Sequence, residues 1–366
     1  MKIKVLQENL LRAAQDVGRG ISTKPPLPIL SCILLETKQG KLSLKATDLS
    51  VGIQAEVGCK VEEEGIVAVS GRTLIELLST FSAGSMEIES QEGKMVLRSQ
   101  KTMSSIQTVD SKDFPPFPER DNDGVVLSSD QFISLIERGG VAAGVDETRP
   151  VFSSMLFECS ISHIAVVATD GYRLSKEVVD VASAKECIAL VPAKIMREVV
   201  RIAQKQGGEV SMVVSGQLGQ VFFGLKEYEI IVRLVDAEFP QYSAIVPRET
   251  QLNIQAEASE LLSAAKTAMV FSKEVSGIIQ MKIEKSILII SSAAATGESS
   301  VEVETKKVRG VEGEISFNGK YLIEFLSLVK TGEIEFGMNE SLKPGIFTIP
   351  SQKNFYYVVM PFRVQK

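Results

Sequence analysis

The chain has 366 residues, of which 44% are hydrophobic and 23% are charged, and its formal net charge at pH 7 is −6. These values are typical of a globular protein of two or three domains, and the share of apolar residues is too high for a disordered chain. No apolar run approaches the roughly 18 residues that cross a membrane, and the N-terminus lacks the hydrophobic segment of a secretory signal. We therefore expect a soluble cytoplasmic protein with no membrane partner. The acidic total excludes a wholly basic nucleic-acid binder but allows a local basic surface.

Four cysteines are widely separated in the sequence and form no CxxC pair: Cys32, Cys59, Cys159 and Cys187. This spacing favours reduced thiols in a cytosolic protein over a disulfide or zinc framework. We expect no metal site and no cofactor.

A strand-then-helix pattern opens the chain and recurs twice. Each copy has a short β-like run, then a polar stretch with an acidic residue, then apolar residues at helical spacing. The copies begin at Ile3, Val125 and Leu252. Self-similarity of this kind indicates a repeated structural unit.

A second landmark supports the same division. It consists of a strand end, a turn residue, a cation and a helical apolar pattern, and its cations are Arg72, Lys194 and Lys320. Alternating stretches lie between the landmarks, and the turn sequences KQGKL and SQEGK favour antiparallel hairpins. We predict an α+β fold of three repeated domains, each with two helices packed on antiparallel sheets. The predicted domains are residues 1–122, 123–250 and 251–366, joined by short polar stretches that favour rigid packing.

The sequence offers little material for catalysis. Its single histidine, His163, lies in an alternating strand, and no motif typical of a hydrolase, a nucleotide-binding loop or a zinc protease occurs. Asp48 and Asp170 recur at equivalent places, and a carboxylate pair can act as acid and base. However, a residue that holds a turn should recur in every repeat, whereas a catalytic pair need not. We interpret both aspartates as turn residues and predict that the chain is not an enzyme.

Residues 193–206, AKIMREVVRIAQKQ, predict an amphipathic helix. At 100° per residue its cations fall within a sector of about 80°, opposite the apolar residues. The apolar face must be buried against a sheet, so the cations face solvent or a polyanion. Taken alone, a solvated surface is the alternative, but cations on the equivalent helices favour binding of phosphates without base reading. The predicted contacts on this helix are Lys194, Arg197, Arg201 and Lys205.

Several motifs in a fixed order carry a resemblance to a known family. They are LPIL (27–30), TDL (47–49), TDGYRL (169–174), LVDAEFPQY (234–242), FNGKYL (317–322) and YVVMPFR (357–363). From its first residue to its C-terminus the chain closely resembles the bacterial DNA polymerase III β subunit, the sliding-clamp family. The resemblance implies a head-to-tail homodimer that closes into a six-domain ring around double-stranded DNA, with helices lining the hole. It also implies a processivity factor that tethers the replicative polymerase and other partners during replication and repair.

The resemblance further implies a hydrophobic pocket between the second and third domains. It would receive short linear motifs of the polymerase III catalytic subunit, the clamp loader, other polymerases and repair proteins. The implied walls and rim are Phe152, Thr169, Gly171, Tyr172, Arg173, Leu174, Pro240, Ile245, Asn318, Tyr321, Val358, Val359, Met360, Pro361, Phe362 and Arg363. For Val358 and Val359, an ordinary strand buried in its own sheet is the alternative.

DNA contacts carried over by position are Lys24, Arg72, Asp146, Pro150 and Val151. Relatives often show a polar residue and two aromatics at the last three positions, and an acid cannot favour phosphate. We therefore predict Arg149 as the contact there, together with Lys24 and Arg72.

The resemblance implies a dimer seam between the first domain of one chain and the third domain of the other. Ile106 would meet Val270 and Phe271, while Arg98 and Lys101 would face acidic residues. Such a rim of exposed ion pairs adds little energy but fixes the register. The implied acidic residues are Glu298, Glu302 and Glu304.

Two rival functions differ in what they predict. A hydrolase that uses the repeated aspartates would lose turnover in Asp170→Asn. A peptide-binding scaffold would bind linear motifs but would not be retained on DNA at any salt concentration.

Overall fold

The computed structural model describes residues 1–22, 25–91, 93–120, 124–182, 185–272, 277–284, 287–310 and 312–363. These residues form two compact units. The first contains residues 1–130 and 198–234, and the second contains residues 131–197 and 235–366. Within the described part of the chain, no helix has the length and apolar character that a membrane span needs.

Within the described residues, each predicted domain contains two α-helices, as the sequence predicts. Short 3₁₀ turns lie at residues 18–20, 28–31, 111–113 and 242–244. The helices are α1 Gln7–Val17, α2 Gly71–Thr80, α3 Ser129–Gly139, α4 Ala193–Gln206, α5 Ala258–Ser272 and α6 Gly319–Val329.

The strands alternate with these helices along the chain. In chain order they are β1 Lys2–Leu6, β2 Cys32–Lys38, β3 Lys41–Thr47, β4 Val51–Glu63, β5 Ile66–Ser70, β6 Ser85–Gln91, β7 Lys94–Ser99, β8 Thr102–Val109, β9 Val125–Ser128, β10 Ser154–Cys159, β11 His163–Thr169, β12 Arg173–Asp180, β13 Cys187–Pro192, β14 Glu209–Ser215, β15 Gln220–Gly224, β16 Tyr228–Arg233, β17 Leu252–Glu257, β18 Ile278–Glu284, β19 Ile287–Ala294, β20 Gly297–Glu304, β21 Lys307–Arg309, β22 Gly313–Asn318, β23 Glu333–Met338, β24 Gly345–Ile349 and β25 Gln352–Val359.

The three predicted strand-then-helix beginnings are present as β1–α1, β9–α3 and β17–α5. Helix α1 shows why such a segment folds this way. Leu10, Ala13, Ala14 and Val17 lie at the spacing i, i+3, i+4 and i+7, and all four are buried. This spacing places them on one face of the helix, which packs on the sheet.

In the first unit, twelve strands form one antiparallel sheet in the order β1-β6-β7-β8-β5-β2-β3-β4-β16-β15-β14-β9. The hairpin β2–β3 closes between Lys38 and Lys41, as KQGKL predicts. Gln39 and Gly40 have φ of 53° and 76°, the paired positive values of a type I′ turn. Pairing of β4 with β16 makes the sheet continuous across the predicted boundary at residue 122.

In the second unit, a nine-stranded sheet has the order β13-β10-β11-β12-β25-β24-β23-β17-β21, and a four-stranded sheet has the order β20-β19-β18-β22. Pairing of β12 with β25 crosses the predicted boundary at residue 250. At both predicted boundaries, strands on the two sides are therefore joined by main-chain hydrogen bonds.

An aromatic core joins α6 to the C-terminal strand of the second unit. The ring of Phe325 on α6 stacks on that of Tyr357 on β25, with centroids 4.8 Å apart. Phe347 and Phe355 pack around the same helix residue, with centroids 5.5 and 5.9 Å from that of Phe325. These buried rings fix β25 and the residues that follow it.

The cysteines are all free thiols. Cys159 on β10 and Cys187 on β13, although distant in sequence, are directly opposite each other in the antiparallel register. These two thiols are therefore neighbours in the sheet despite their separation in the sequence.

Candidate functional site

The repeated aspartates hold equivalent turns, as predicted. The Asp48 carboxylate accepts hydrogen bonds from the backbone amides two and three residues later, both at 2.8 Å. Asp170 accepts the same two bonds at 2.9 and 3.1 Å. The residue after each aspartate has positive φ, 76° at Leu49 and 94° at Gly171. Recurrence of Asp48 and Asp170 therefore has a structural cause, since each side chain caps its own turn.

The second of these turns is tied to α6 and β25 through Arg173. Its guanidinium is buried, donates from Nε to Asp170 at 3.0 Å and pairs with Glu324 on α6. It lies 4.4 Å from the ring centroid of Tyr321 and donates to the Tyr357 hydroxyl at 3.3 Å. Because its Nε and Nη1 are already engaged, Arg173 positions the turn and is not a free cation.

The structure brings the turn at residues 169–174 beside the C-terminal segment. The backbone amide of Met360 donates to the carbonyl oxygen of Tyr172 at 2.8 Å. Tyr172, Met360 and Phe362 are 61%, 36% and 46% exposed. We call these three side chains the apolar patch. Exposed apolar clusters of this kind mark interaction sites.

Other predicted wall residues lie beneath the surface. Leu174 and Val358 are paired across β12 and β25 and are buried in one cluster, whereas Val359 is buried in a separate core cluster. For the two valines, the sequence alternative of a strand buried in its own sheet is therefore correct. Thr169 is also buried, and its hydroxyl donates to the carbonyl oxygen of Arg173 at 2.7 Å.

The remaining predicted wall and rim residues lie in differing surroundings. Segment 239–246 reaches it through Phe239 and Tyr242, while Pro240 and Ile245 stay exposed. Asn318 caps α6 by accepting from the backbone amide of Lys320 at 3.0 Å. Pro361 is half-buried and Arg363 is exposed.

Arg149 lies on the rim residue Phe152. Its guanidinium is 4.2 Å from the ring centroid, and its Nη2 is 3.8 Å from where a Cβ on Gly171 would lie. The predicted DNA contact thus lies beside the turn of the apolar patch. Nearby, a hydrogen bond from the Thr148 side chain lowers the pKa of Asp146, so this acid stays ionised.

Helix α4 has the predicted amphipathic form. Met196, Val199, Ile202 and Ala203 are buried. Lys194 and Arg197 are exposed at the first half of the helix, and Lys194 pairs with Glu147 at 2.7 Å, where both side chains are well exposed. Arg197 forms no ion pair with any residue that the structure describes.

The second half of the α4 stripe is engaged with a buried acid. Arg201 and Lys205 both donate to Oδ1 of Asp16, at 2.7 and 3.0 Å, and the Tyr228 hydroxyl donates to Oδ2 at 3.0 Å. The Asp16 side chain is only 3% exposed. Burial opposes its ionisation, but the hydrogen bonds from Arg201 and Lys205 outweigh this, and the pKa of Asp16 is lowered. Arg201 also pairs with Glu198 at 2.9 Å.

The four predicted contacts on α4 therefore differ in their surroundings. Arg201 and Lys205 serve the first unit's own structure, whereas Arg197 remains available to a ligand. The acid that makes the difference, Asp16, was missed because it is far away in sequence. The one sequence signal for this network was the position of Asp16, an acid beside the apolar face of α1.

The other predicted DNA contacts differ in their surroundings. Arg72 is exposed and pairs with Glu76 one turn later at 2.8 Å. Such an exposed pair is worth about 0–1 kcal/mol and yields readily to a phosphate. Lys24 lies outside the described residues.

Two strand edges bear on the predicted dimer seam. Residues 102–107 of β8 pair with β7 on one side, and no partner on the other side lies within the described ranges. Strand β20 ends its four-stranded sheet, and three glutamates on it are exposed. An edge of this kind presents unpaired backbone groups. The glutamates are Glu298, Glu302 and Glu304.

The side chains predicted at the seam are only partly available. Lys101 and Val270 are exposed, and the ring of Phe271 on α5 lies against Gly297 of β20. Ile106 is only 6% exposed because it faces its own core opposite Met95. Little of the Ile106 side chain is therefore exposed for the contact with Val270 and Phe271, which stays a prediction.

Among the described residues, no group of three or more His, Cys, Asp or Glu side chains is placed to hold a metal ion. His163 is exposed at the start of β11, and its Nδ1 lies 2.8 Å from the Ser160 hydroxyl. This contact fits the structural role that the sequence predicts for the histidine.

Comparison with known proteins identifies the family. Models of the N-terminal, central and C-terminal domains of the DNA polymerase III beta subunit match residues 1–118, 126–241 and 243–363. The chain belongs to the DNA polymerase III beta subunit family. The resemblance predicted from the motifs is confirmed, and the function is that of a DNA sliding clamp in replication, a non-catalytic processivity factor.

Relatives of this clamp-family chain match along its whole length. The beta sliding clamps of Salmonella typhimurium and Streptomyces coelicolor are 27% and 24% identical, and each alignment covers 100% of both chains. The crystal structure of the DNA polymerase III subunit beta from Pseudomonas aeruginosa is 26% identical, covers 100% of both chains and superposes with a TM-score of 0.92. These relatives support the fold of three clamp domains.

Proposed function

We propose that two copies of this chain join head to tail into a closed six-domain ring that encircles double-stranded DNA in the cytoplasm. The ring tethers the polymerase III catalytic subunit, the clamp loader, and other polymerases and repair proteins through their short linear motifs. The three tandem family matches carry this proposal, because they assign nearly the whole chain to clamp domains.

The free strand edges support the dimer. Adding β8 of one copy to β20 of the other would satisfy the open backbone groups of both strands. Arg98 and Lys101 lie at the end of β7 and the turn before β8, while β20 carries its exposed glutamates. Opposite charges on the two edges favour this pairing over pairing of like edges.

DNA binding in this proposal is weak and rests on few cations. Arg197 and Arg72 are exposed phosphate contacts, while Arg201 and Lys205 hold Asp16. Modest attraction suits a sliding protein, since the closed ring, and not the strength of binding, retains it on DNA.

Partner motifs bind at the apolar patch in this proposal. Tyr172, Met360 and Phe362 offer apolar surface, and the buried Arg173 network holds the turn beneath them. Arg149, stacked on Phe152, offers a cation at the rim for an acidic residue of the motif.

Retention on circular DNA tests the proposal. The clamp is loaded onto nicked circular plasmid by its cognate loader with ATP, and then gel-filtered in high salt before and after a single-site restriction cut. We expect co-elution with the circle and release after linearisation. Equal retention on circular and linear DNA would contradict encirclement. Binding of linear motifs with no retention on either DNA would favour the alternative of a peptide-binding scaffold.

A further inference from the structure

Two cysteines face each other at one edge of the nine-stranded sheet. Cys159 ends β10, Cys187 begins β13, and the two are direct partners in the antiparallel register. Opposed residues of an antiparallel pair have Cα atoms about 4.5 or 5.5 Å apart. Disulfides span about 4.4–6.8 Å between Cα atoms, so the spacing of facing residues lies within the range in which two sulfurs can join.

The two thiols differ in environment. Cys159 is buried, whereas Cys187 is partly exposed on β13, the outermost strand of the sheet. A hydrogen bond from the Cys159 side chain lowers the pKa of the Cys187 thiol, and interaction with Cys187 together with burial raises the pKa of Cys159. The accessible sulfur of Cys187 is thus the better nucleophile, and the buried sulfur of Cys159 is its neighbour.

The other two cysteines lack these features. Burial raises the pKa of both Cys32 and Cys59. Cys59 is partly exposed like Cys187, but it faces Val5 across its strand pair. It is therefore a natural control for exposure without a neighbouring thiol.

We propose that Cys159 and Cys187 are a redox modification site, which forms an intramolecular disulfide by exchange with small-molecule disulfides of the glutathione type. The Cys187 thiolate attacks one sulfur of the small disulfide, forms a mixed disulfide and releases one small thiolate. Cys159 then attacks the Cys187 sulfur, its proton passes to the second departing thiolate, and the internal bond replaces the mixed one. Two protein thiols are oxidised, and one small disulfide is reduced to two thiols.

A zinc site is the less favoured use of this pair. Structural zinc takes four ligands, and no third His, Cys, Asp or Glu joins the two thiols within the part of the chain that the structure describes. Strand β13 runs directly into helix α4, which carries Arg197. The internal bond therefore fixes the edge strand that leads into the proposed DNA-contacting helix.

Thiol mapping on the full chain tests this inference. The reduced protein is treated with oxidised glutathione, the remaining thiols are alkylated, and the digest is analysed by mass spectrometry. We expect a linked peptide pair containing Cys159 and Cys187, with the loss of two of the four free thiols. A stable glutathione adduct on Cys187 beside an alkylated Cys159, or no reaction at either, would overturn the proposal.

Three variants separate the steps. Cys159→Ser should stop at the mixed disulfide on Cys187, and Cys187→Ser should leave Cys159 unreacted. Cys59 is partly exposed like Cys187, and Cys59→Ser should form the Cys159–Cys187 disulfide as the unaltered chain does. Thermal melting checks that each variant is folded, and if Cys159→Ser is not, the mapping on the unaltered chain still decides. A linked product in Cys187→Ser would also refute the assignment.

Discussion

Neutralising Arg201 and Arg197 in turn separates structural cations from DNA-contacting ones on the same helix. In Arg201→Gln, Asp16 keeps Lys205 and Tyr228 but loses its shortest hydrogen bond, at 2.7 Å. A hydrogen bond to a charged group contributes roughly 1.5–3 kcal/mol, so we expect a loss of about 2 kcal/mol in the free energy of unfolding. For a unit of this size, that loss lowers the melting temperature by about 4–8 °C.

Arg197→Gln is the matched control for stability. Arg197 is exposed and has no ion-pair partner within the described residues, so the free energy of unfolding should change by less than about 0.5 kcal/mol. Its DNA affinity should fall, and the slope of log affinity against log salt should decrease by about 0.9 for each phosphate that the variant no longer neutralises.

Calorimetry and salt-dependent DNA titration of both variants provide the assay. Since the pKa of Asp16 is lowered in the folded state, its stabilisation is present above the ordinary carboxyl pKa and is lost as the pH falls through the folded value. Arg201→Gln should weaken this acid dependence. An unchanged melting temperature in Arg201→Gln would refute the Asp16 argument, and an unchanged salt slope in Arg197→Gln would refute the DNA face of α4.

Further predictions concern the second unit and the seam. Burial raises the pKa of Glu177 to about 7, and its Oε2 has no hydrogen-bond partner among the described residues. This folded-state pKa lies above the unfolded value of about 4.3. As the pH rises between these two pKa values, the free energy of unfolding should therefore fall, by up to about 1.4 kcal/mol per pH unit. Glu177→Gln should be the more stable protein at pH 8, and urea titrations showing the same pH slope in both proteins would contradict this. Deleting residues 361–366 removes Phe362 from the apolar patch. Binding of a fluorescent partner motif should weaken by about tenfold, or about 1.4 kcal/mol, while sedimentation should show an unchanged dimer. A monomeric variant that binds the motif normally would contradict this prediction. Lys101→Glu should weaken dimer affinity by only about 2–5-fold, since exposed ion pairs are worth about 0.2–1 kcal/mol. Adding Glu302→Lys to the same chain should restore the dimer affinity. Dimer affinity that stays low in the double variant would argue against the proposed register.

The sequence predicted those features that depend on local spacing. Apolar periodicity located α1 and α4, and recurrence of Asp48 and Asp170 indicated turns, because each of these signals is contained in a few neighbouring residues. The motifs identified the family.

Features set by distant pairing could not be read from the sequence. The role of Arg201 depends on Asp16, an acid 185 residues away. The facing of Cys159 and Cys187 depends on the register of β10 with β13, which the connecting segments determine. Ile106 is apolar, and its sequence alone does not say that it is buried in its own core, which depends on the packing of β8.

Electron-microscope imaging of the purified full chain tests the ring most directly. Class averages of the particles at working concentration should show a closed annulus of six similar modules with a central opening wide enough for double-stranded DNA. Open, single-chain particles at the same concentration would contradict the account.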